Sequence, residues 1–450
     1  MIGGGGAGLA AAVSAAERGV SVVLVEAASE LGGTTARSLG SFTAAGTRLQ
    51  SRAGVSDSSD DFAHDMAAFA TGSLDRDAPD LRAVLAAEAA PTLAWLEGMG
   101  VAFAGPFPEP PHRVPRMHNV VPNSRAYIRQ LHREATRLHV RIHLAHRVVE
   151  LIRAEDGGIA GAIIEGEDRR SILALRATIL ATGDFSANAD MRSSWFTREQ
   201  AAAAPVSPTS RGDGFTLADA VGAGVVNMKV VRGPQLRLPA PPRPPWTERV
   251  PLWAPLTRLA AWIVNRAPRF VLRRLAKHQL IAQMSPSHDL FTAGAILVNT
   301  DGKRFCDETV GTGSLSLERD GVGHVIFDGS IAAMFNRPPN FISTAPGVAY
   351  TYFDDYRRGR PDLVSTANST AELARQLGLP AEALEGAVRS SPRGLSAPFH
   401  ALGPVRSMLT TTEGALTVDR HARVLDRKGV PIRRLYAVGA LGQGGMVLDE

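Results

Sequence analysis

The chain opens on a glycine cluster whose spacing suits binding of a dinucleotide. Gly3, Gly5 and Gly8 form the pattern G-x-G-x-x-G, and Gly6 adds a further glycine inside it. In this pattern the first glycine allows a sharp turn, the second lets the backbone approach a pyrophosphate, and the third lets a helix pack closely on the sheet. The N-terminus of that helix then directs free N–H groups at the phosphates.

An acidic residue stands where such a site contacts the ribose. The small-residue stretch LAAAVSAAERG predicts a helix that stops at Gly19, and the strand-like run VSVVLVE ends at Glu26, 18 residues after Gly8. A carboxylate at this point accepts hydrogen bonds from a ribose diol. Only Met1 and Ile2 precede the motif, so we expect the first strand to be almost absent and the chain to be truncated at this end.

The composition predicts a globular chain of two domains, or of one domain with a large insertion. Its 450 residues are 44% hydrophobic and 21% charged, which argues against disorder. Cys306 is the only cysteine, so neither an intramolecular disulfide nor a cysteine metal cluster can form, and we expect no metal site. This cysteine usage, with no secretory signal before the glycine cluster, predicts a cytoplasmic protein.

The charge pattern excludes one class of partner. The net charge is +5, and much of the excess falls between Arg232 and Lys277. No basic face with interleaved aromatic residues accompanies this excess, so we expect no nucleic-acid partner.

Two adjoining stretches interrupt the regular pattern. RGPQLRLPAPPRPPWTERVP is so rich in proline that it predicts a linker or an irregular loop. Residues 252–283 then alternate apolar residues with arginines and are broken by Pro268. This pattern indicates either helices packed on the core, which is the commoner arrangement, or an amphipathic hairpin lying on a membrane surface.

The remaining segments alternate strands with helices. DLRAVLAAEAAPTLAWLEGMG and SRAYIRQLHREATRLHV predict amphipathic helices, and two apolar runs around EDGG predict a hairpin. STAELARQLGLPAEALEGAVRSS predicts two short helices separated by Gly378 and Pro380. GAILVNTDGKRFCDE predicts a strand followed by a turn at Asp301 and Gly302.

Six segments of the chain occur in the order of a known family: the glycine motif, VEAASELGGTTARSLGSFTAAGT, ILATGDFSAN, SRGDGFTLADAVGAG, GAILVNTDGKRFCDE, and EGALTVD with RLYAVGALGQGG. The chain thus resembles the FAD-dependent fumarate reductase and succinate dehydrogenase flavoprotein family, which includes the 3-ketosteroid dehydrogenases. The resemblance implies an α/β fold, in which a Rossmann-like FAD-binding domain (1–226 and 397–450) is interrupted by an α+β capping domain (227–396). It also implies that the C-terminal part is incomplete.

The resemblance also implies a set of residues that hold FAD. They are Gly3, Gly5, Gly6, Gly8 and Glu26 at the pyrophosphate and adenosine ribose, Gly33, Thr34, Thr35 and Ser38 along the flavin and ribityl chain, Val148 at the adenine, Ala181, Thr182 and Gly183 at a second approach of the backbone, Asp213 near the cofactor, and Gly439 beneath the isoalloxazine. Respiratory members attach FAD through a histidine in the segment that here reads GGTTARS. No histidine is present there, so the FAD is expected to be noncovalent.

The catalytic positions match the family less well. Fumarate reductases hold a dicarboxylate with arginines and histidines, and the corresponding positions here read Thr312, the vicinity of Phe291, and Thr410 or Thr411. A dicarboxylate needs cationic groups at both ends, so these positions argue against fumarate as the substrate.

The 3-ketosteroid dehydrogenases rely instead on tyrosines around an apolar slot. Tyr350 and Tyr352 cluster in VAYTYFDDYRRG, within the predicted capping domain, and are our acid–base candidates on that pattern. His400 and His288 are two further candidates, because an ordinary histidine pKa suits proton transfer near neutral pH.

The leading hypothesis is an FAD oxidoreductase that acts on a carbon–carbon bond next to a carbonyl of an apolar, steroid-like substrate. It pairs hydride transfer at flavin N5 with proton transfer by a side chain of the cap. One alternative is a reductase of a small unsaturated acid that uses Arg232 or Arg237 as a clamp. Another is an inactive or truncated flavin-binding protein at a membrane surface. Since the sequence carries no second dinucleotide motif, we expect electrons to pass through a separate carrier.

Overall fold

The computed structural model describes residues 1–68, 77–242, 249–268, 284–345 and 348–445, together with 270, 272–274, 277, 280 and 281. Its helices are α1 (Gly6–Glu17), α2 (Arg48–Arg52), α3 (Ser59–Met66), α4 (Pro79–Met99), α5 (Arg125–Arg137), α6 (Ala189–Trp195), α7 (Arg198–Ala202), α8 (Asp213–Asp219), α9 (Ala254–Arg266), α10 (Asp289–Thr292), α11 (Gly329–Met334), α12 (Phe353–Gly359), α13 (Thr370–Leu377) and α14 (Ala381–Arg389).

The strands are β1 (Val23–Val25), β2 (Ser41–Thr43), β3 (Ala102–Phe107), β4 (Met117–Val121), β5 (Arg141–His143), β6 (Arg147–Arg153), β7 (Ile159–Glu165), β8 (Arg169–Leu173), β9 (Thr178–Leu180), β10 (Ala204–Pro205), β11 (Val225–Val226), β12 (Val231–Arg232), β13 (Gln235–Arg237), β14 (Ile296–Asn299), β15 (Val322–Asp328), β16 (Ser343–Ala345), β17 (Ala349–Thr351), β18 (Val364–Ala367), β19 (Phe399–Leu409), β20 (Thr411–Thr412), β21 (Ala415–Leu416), β22 (Arg423–Leu425) and β23 (Pro431–Ala437).

A parallel sheet carries the glycine motif. β1 pairs with β5 and β23 pairs with β9, in both cases parallel. Ile2 joins the two pairs through single bridges to Val25 and Leu180. Backbone bonds of Met1, Ile2 and Gly3 to the strands on either side thus hold this segment between β1 and β9. α1 begins directly afterwards and packs on α5, as a helix that follows such a motif must in order to cover the sheet.

A second sheet is built around β19. β13, β15 and β18 pair with this strand in antiparallel fashion, β10 pairs with it in parallel fashion, and β14 continues the sheet beyond β15. Leu373 of α13 and Leu384 of α14 pack with Ile296 and Ile326 in one buried cluster beneath the sheet. β19 lies after the predicted boundary at residue 397, and it pairs with β13, β15 and β18, which lie within the predicted cap.

Most local predictions are confirmed. The two amphipathic helices are α4 and α5, the hairpin around EDGG is β6 and β7, and the two short helices are α13 and α14. The proline-rich stretch is less irregular than predicted, because its residues 235–237 form β13 and pair with β19. Residues 243–248 of that stretch lie outside the described residues.

One face of the helix α9 packs on the core, as the commoner of the two interpretations of residues 252–283 predicts. Thr257 and Ala261 are buried where the helix lies against β3. Asn265 donates to the carbonyl of Phe103 and accepts from the N–H of Gly105, both at 3.0 Å. Among the described residues, none of the helices combines the length and the apolar character that crossing a membrane requires.

A buried ion cluster joins α3 to the segment before β4. The Arg116 guanidinium donates to both carboxylate oxygens of Asp57, at 2.6 and 2.7 Å, and to Asp65, and all three side chains are almost fully buried. Burial opposes ionisation of Asp65, but hydrogen bonds from Arg116 and Arg113 outweigh it and lower the pKa of Asp65 to about 2. Each member of the cluster therefore depends on the others for its charge compensation.

We expect Asp65→Asn to lower the free energy of unfolding by about 3 kcal/mol at neutral pH, because it leaves the buried Arg116 charge undercompensated. Because the pKa of Asp65 is lower in the folded protein than in the unfolded chain, Asp65 stabilises the fold at pH values above about 4. That contribution, about 2 kcal/mol, disappears as the pH falls from about 4 to about 2. Urea denaturation of both proteins at neutral and acidic pH measures the difference.

The matched control is Asp60→Asn, which makes the same substitution at an exposed residue of the same helix. We expect it to change stability by no more than about 0.5 kcal/mol. Equal losses of unfolding free energy in the two variants would contradict the stabilising role that we assign to the ion cluster.

Candidate functional site

A cavity of about 850 Å³ lies where the parallel strands end. Gly3 follows Ile2, Glu26 follows β1, Ala181 follows β9, and Gly439 lies two residues after β23, and all four line the cavity. Ligands of open parallel sheets bind outside the carboxyl ends of their strands. The fold thus brings together residues that lie more than 400 positions apart in the chain.

The three motif glycines have different structural roles. Gly3 has φ +106°, and a Cβ there would lie 2.4 Å from the Ala181 carbonyl oxygen. A Cβ at Gly8 would lie 1.9 Å from the Gly3 carbonyl oxygen. Gly5 differs, because its nearest neighbour would be the oxygen of Gly32 at 3.9 Å. Gly3 and Gly8 therefore permit packing of the backbone, whereas Gly5 keeps the cavity wall free of a side chain.

Glu26 is held at the cavity wall by the backbone. One carboxylate oxygen accepts from the N–H of Gly4 at 2.5 Å, and the other accepts from the N–H of Ala28 at 2.8 Å. A carboxylate offers about four acceptor sites. The two bonds fix its orientation and leave capacity for a further donor such as a ribose hydroxyl.

The loop after Leu31 forms another wall. The Thr34 hydroxyl donates to Ser207 at 2.9 Å, and Thr35 accepts from the N–H of Gly6 at 3.3 Å. Gly33, Thr34 and Thr35 all line the cavity. Ser38 is not among the described lining residues, because its hydroxyl turns back to the carbonyl of Thr35 at 2.9 Å.

Asp184 and Thr411 join the two sheets at the cavity. Both line it, and the Thr411 hydroxyl donates to Asp184 at 2.9 Å. The N–H of Thr412 and the hydroxyl of Ser186 donate to the same carboxylate at 2.8 and 3.1 Å. The sequence prediction did not include Asp184 as a site residue, although its position directly after the predicted Gly183 was a usable signal.

One face of α5 adds positive charge to the cavity wall. Arg125, Arg129 and His132 line it, with spacings of four and three residues that place them on one side of a helix. The sequence prediction missed them, and the amphipathic pattern of this helix was the available signal.

Of the remaining residues that the family resemblance implies for FAD binding, some line the cavity and others do not. Thr182 and Gly183 line the cavity, and the Thr182 hydroxyl accepts from the N–H of Gly214 at 3.1 Å. Val148 is buried in β6 and is not among the described lining residues. Asp213 begins α8 and forms an ion pair with Arg147 instead of lining the cavity.

None of the four catalytic candidates is among the described residues that line the cavity. Tyr350 is partly exposed and packs against the ring of Phe341. Tyr352 stands just before α12, with its ring 5.0 Å from the ammonium of Lys277.

The histidines also have structural partners. His400 lies on β19 against the rings of Phe327 and Phe353, with Nδ1 2.9 Å from the hydroxyl of Thr366. Burial, aided by the charge of Arg357, lowers its pKa. His288 is exposed, with Nε2 3.1 Å from the carbonyl oxygen of Thr309. Within the described part of the chain, no cluster of His, Cys, Asp and Glu side chains has the makings of a metal site.

Comparison with known proteins agrees with this geometry. A protein-family model described as an FAD binding domain matches residues 1–242 and 253–447. Urocanate reductase from Eggerthella lenta is 25% identical over 98% of this chain and 68% of its own length. The chain spans 44% to 72% of the length of the first curated relatives that it matches.

Solved structures share the fold. The open conformation of a flavocytochrome c3 fumarate reductase has a TM-score of 0.72 at 21% identity, and the match covers 99% of this chain and 73% of that one. 3-Ketosteroid-Δ4-(5α)-dehydrogenase from Rhodococcus jostii has a TM-score of 0.59 at 21% identity. The match covers 100% of this chain and 92% of that one. The split architecture predicted from the sequence is thereby confirmed.

We expect Gly5→Ala to reduce the FAD content of the purified protein at least about tenfold, because its Cβ enters the cavity wall without displacing protein atoms. The melting temperature of the FAD-free protein should stay close to that of the FAD-free parent. Visible absorbance and calorimetry measure the two quantities.

Gly98→Ala in α4 is the control, because a Cβ there meets no atom within 4 Å. It should retain FAD and gain up to about 1 kcal/mol of stability from the helix propensity of alanine. Full FAD content in the Gly5 variant would contradict the assignment of this cavity.

Proposed function

Because the chain belongs to the FAD binding domain family and is an FAD-dependent oxidoreductase, we propose that it reduces, or in reverse forms, the double bond of a small unsaturated monocarboxylic acid. FAD, when bound, supplies a position that accepts or delivers hydride. The cavity fits such a cofactor, since it combines an open glycine wall at Gly5, an acceptor at Glu26 and the N-terminus of α1. In this proposal the FAD is noncovalent.

The residues divide the cavity into two ends. Glu26, with the basic face of α5 nearby, suits the adenosine and phosphate part of the cofactor. Thr34, Ser210, Thr411 and Gly439, which also line the cavity, would hold the redox-active part.

One observation carries the choice of substrate, namely that this second end of the cavity is polar. Thr34, Ser210 and Thr411 present hydroxyls there, and Asp184 presents a carboxylate. The Thr34 and Thr411 hydroxyls donate to Ser207 and Asp184, and their remaining lone pairs with the Ser210 hydroxyl form a polar surface that suits a small polar substrate better than a steroid skeleton. The polar end supports a small polar substrate over the apolar one that the sequence favoured.

Arg237 is not among the described residues that line the cavity, but it contacts Thr410 beside the lining residue Thr411, and it is our candidate for binding the substrate carboxylate. Its Nη2 donates to Thr410, the neighbour of Thr411, at 3.0 Å, and its buried Nε has no partner among the described residues. Burial lowers the pKa of Arg237. Arg232 is bound to Glu413 at 2.8 Å. One incompletely paired guanidinium suits one carboxylate, which supports a monocarboxylic acid over a dicarboxylic one.

The proton that accompanies the hydride also needs a route. Asp184 accepts three hydrogen bonds as a carboxylate and has no proton to give, so in this proposal the proton comes from solvent water. The electron partner in the proposal is a separate carrier. The names of the relatives support the reaction class, as several of them are reductases of unsaturated acids.

We expect the reduced protein to be reoxidised by acrylate or urocanate at least about tenfold faster than by fumarate, since a second carboxylate lacks a cation. A steroid enone should be slower still. Anaerobic stopped-flow absorbance of the flavin measures all four rates. Faster reoxidation by the steroid would contradict the polar-substrate proposal, and equal rates with fumarate would contradict the single clamp.

We expect Arg237→Met to raise the KM for the acid at least about tenfold, equivalent to about 1.4 kcal/mol, with kcat nearly unchanged. The methyl ester of the same acid should show no such change. Arg406→Met is the control, because Arg406 lies opposite Arg237 in the sheet register and is exposed. If both variants raise the KM for acid and ester equally, Arg237 does not bind the carboxylate.

A further inference from the structure

The outward face of α9 carries an apolar stripe. Leu259, Trp262 and Ile263 are each more than half exposed, and so is Trp253 immediately before the helix. The spacings of three and four residues place the three helical side chains on one face. Contiguous exposed apolar side chains of this size mark an interaction surface.

The opposite face of α9 fixes the direction of this stripe. Thr257, Ala261 and Asn265 follow each other at intervals of four, and they are buried or bonded to the backbone of β3. The stripe therefore stays outside the core, and turning it inward would break both bonds of Asn265.

The segment that carries the stripe is basic in sequence, although Arg258 contacts the backbone of Glu97 and Lys277 pairs with Asp355. Residues 249–288 contain six arginines and one lysine and no aspartate or glutamate. The guanidinium of Arg266 lies 4.4 Å from the centre of the Trp262 ring, and Arg258 lies one position before Leu259. Basic groups thus border an apolar and aromatic surface.

We propose that this face of α9 docks on an anionic lipid bilayer. Tryptophan rings suit the boundary between headgroups and acyl chains, and nearby arginines attract an anionic membrane surface. A helix with one apolar face and a basic border lies in the plane of that boundary. The charge complementarity favours a lipid surface over a second copy of this chain, whose same face would repel it.

The docking face adjoins the cofactor cavity. Leu252, two residues before α9, lines the cavity beside Ile128 and Arg129, and its carbonyl accepts from Gln130 at 3.3 Å. Docking of α9 would hold this wall of the cavity next to the bilayer. The proposal does not depend on which substrate the enzyme uses.

Flotation of the full chain with phosphatidylcholine vesicles, with and without phosphatidylglycerol, tests the proposal. We expect binding to the anionic vesicles at least about tenfold above the neutral ones, decreasing with added salt. The double variant Trp262→Ser with Ile263→Ser should lose at least about tenfold of that binding and retain its FAD.

The control is Leu175→Ser with Val310→Ser, which removes two apolar side chains that are more exposed than those of α9. It should bind like the parent. Equal losses in the two double variants, or no binding by the parent, would overturn the proposal. So would concentration-dependent dimerisation in light scattering that the α9 variant abolishes, because the face would then be a protein interface.

Discussion

The close approach of backbone to backbone at the carboxyl edge of the parallel sheet is the constraint on which the site depends. A Cβ at Gly3 or Gly8 would overlap a carbonyl oxygen at 2.4 or 1.9 Å. Only glycine at both positions lets α1 start where its N–H groups face the cavity. Glu26 is then held by the same turn through the N–H of Gly4, so the cofactor wall and the packing of α1 are one structure.

The second sheet completes the site from another direction. β19 collects the strands of the cap, and the residues that follow it reach back to Asp184 through Thr411 and Thr412. A buried carboxylate with three donors is costly to leave unpaired. These bonds therefore tie the position of the cap to the strand that precedes Asp184, and they determine which side chains surround the reacting end of the cavity.

α9 shows how one helix serves two environments. Its inward face is satisfied by the core and by Asn265, so its apolar outward face is not needed for folding. Exposed Trp262 and Ile263 reduce solubility in water unless something covers them. Their position beside Leu252 relates this surface to the cavity rather than to a remote part of the molecule.

Local sequence patterns were enough to predict the glycine motif, the helix after it, the hairpin around EDGG and the helices α4 and α5. Each of these elements depends on residues that are close together in the chain. The sequence also determined the family and therefore the split fold. The tertiary structure alone decided that β19 pairs with strands of the predicted cap, that Tyr350 and His400 are not among the described residues lining the cavity, and that Asp184 meets Thr411. Those outcomes depend on pairings across hundreds of residues, and neither periodicity nor spacing records such pairings.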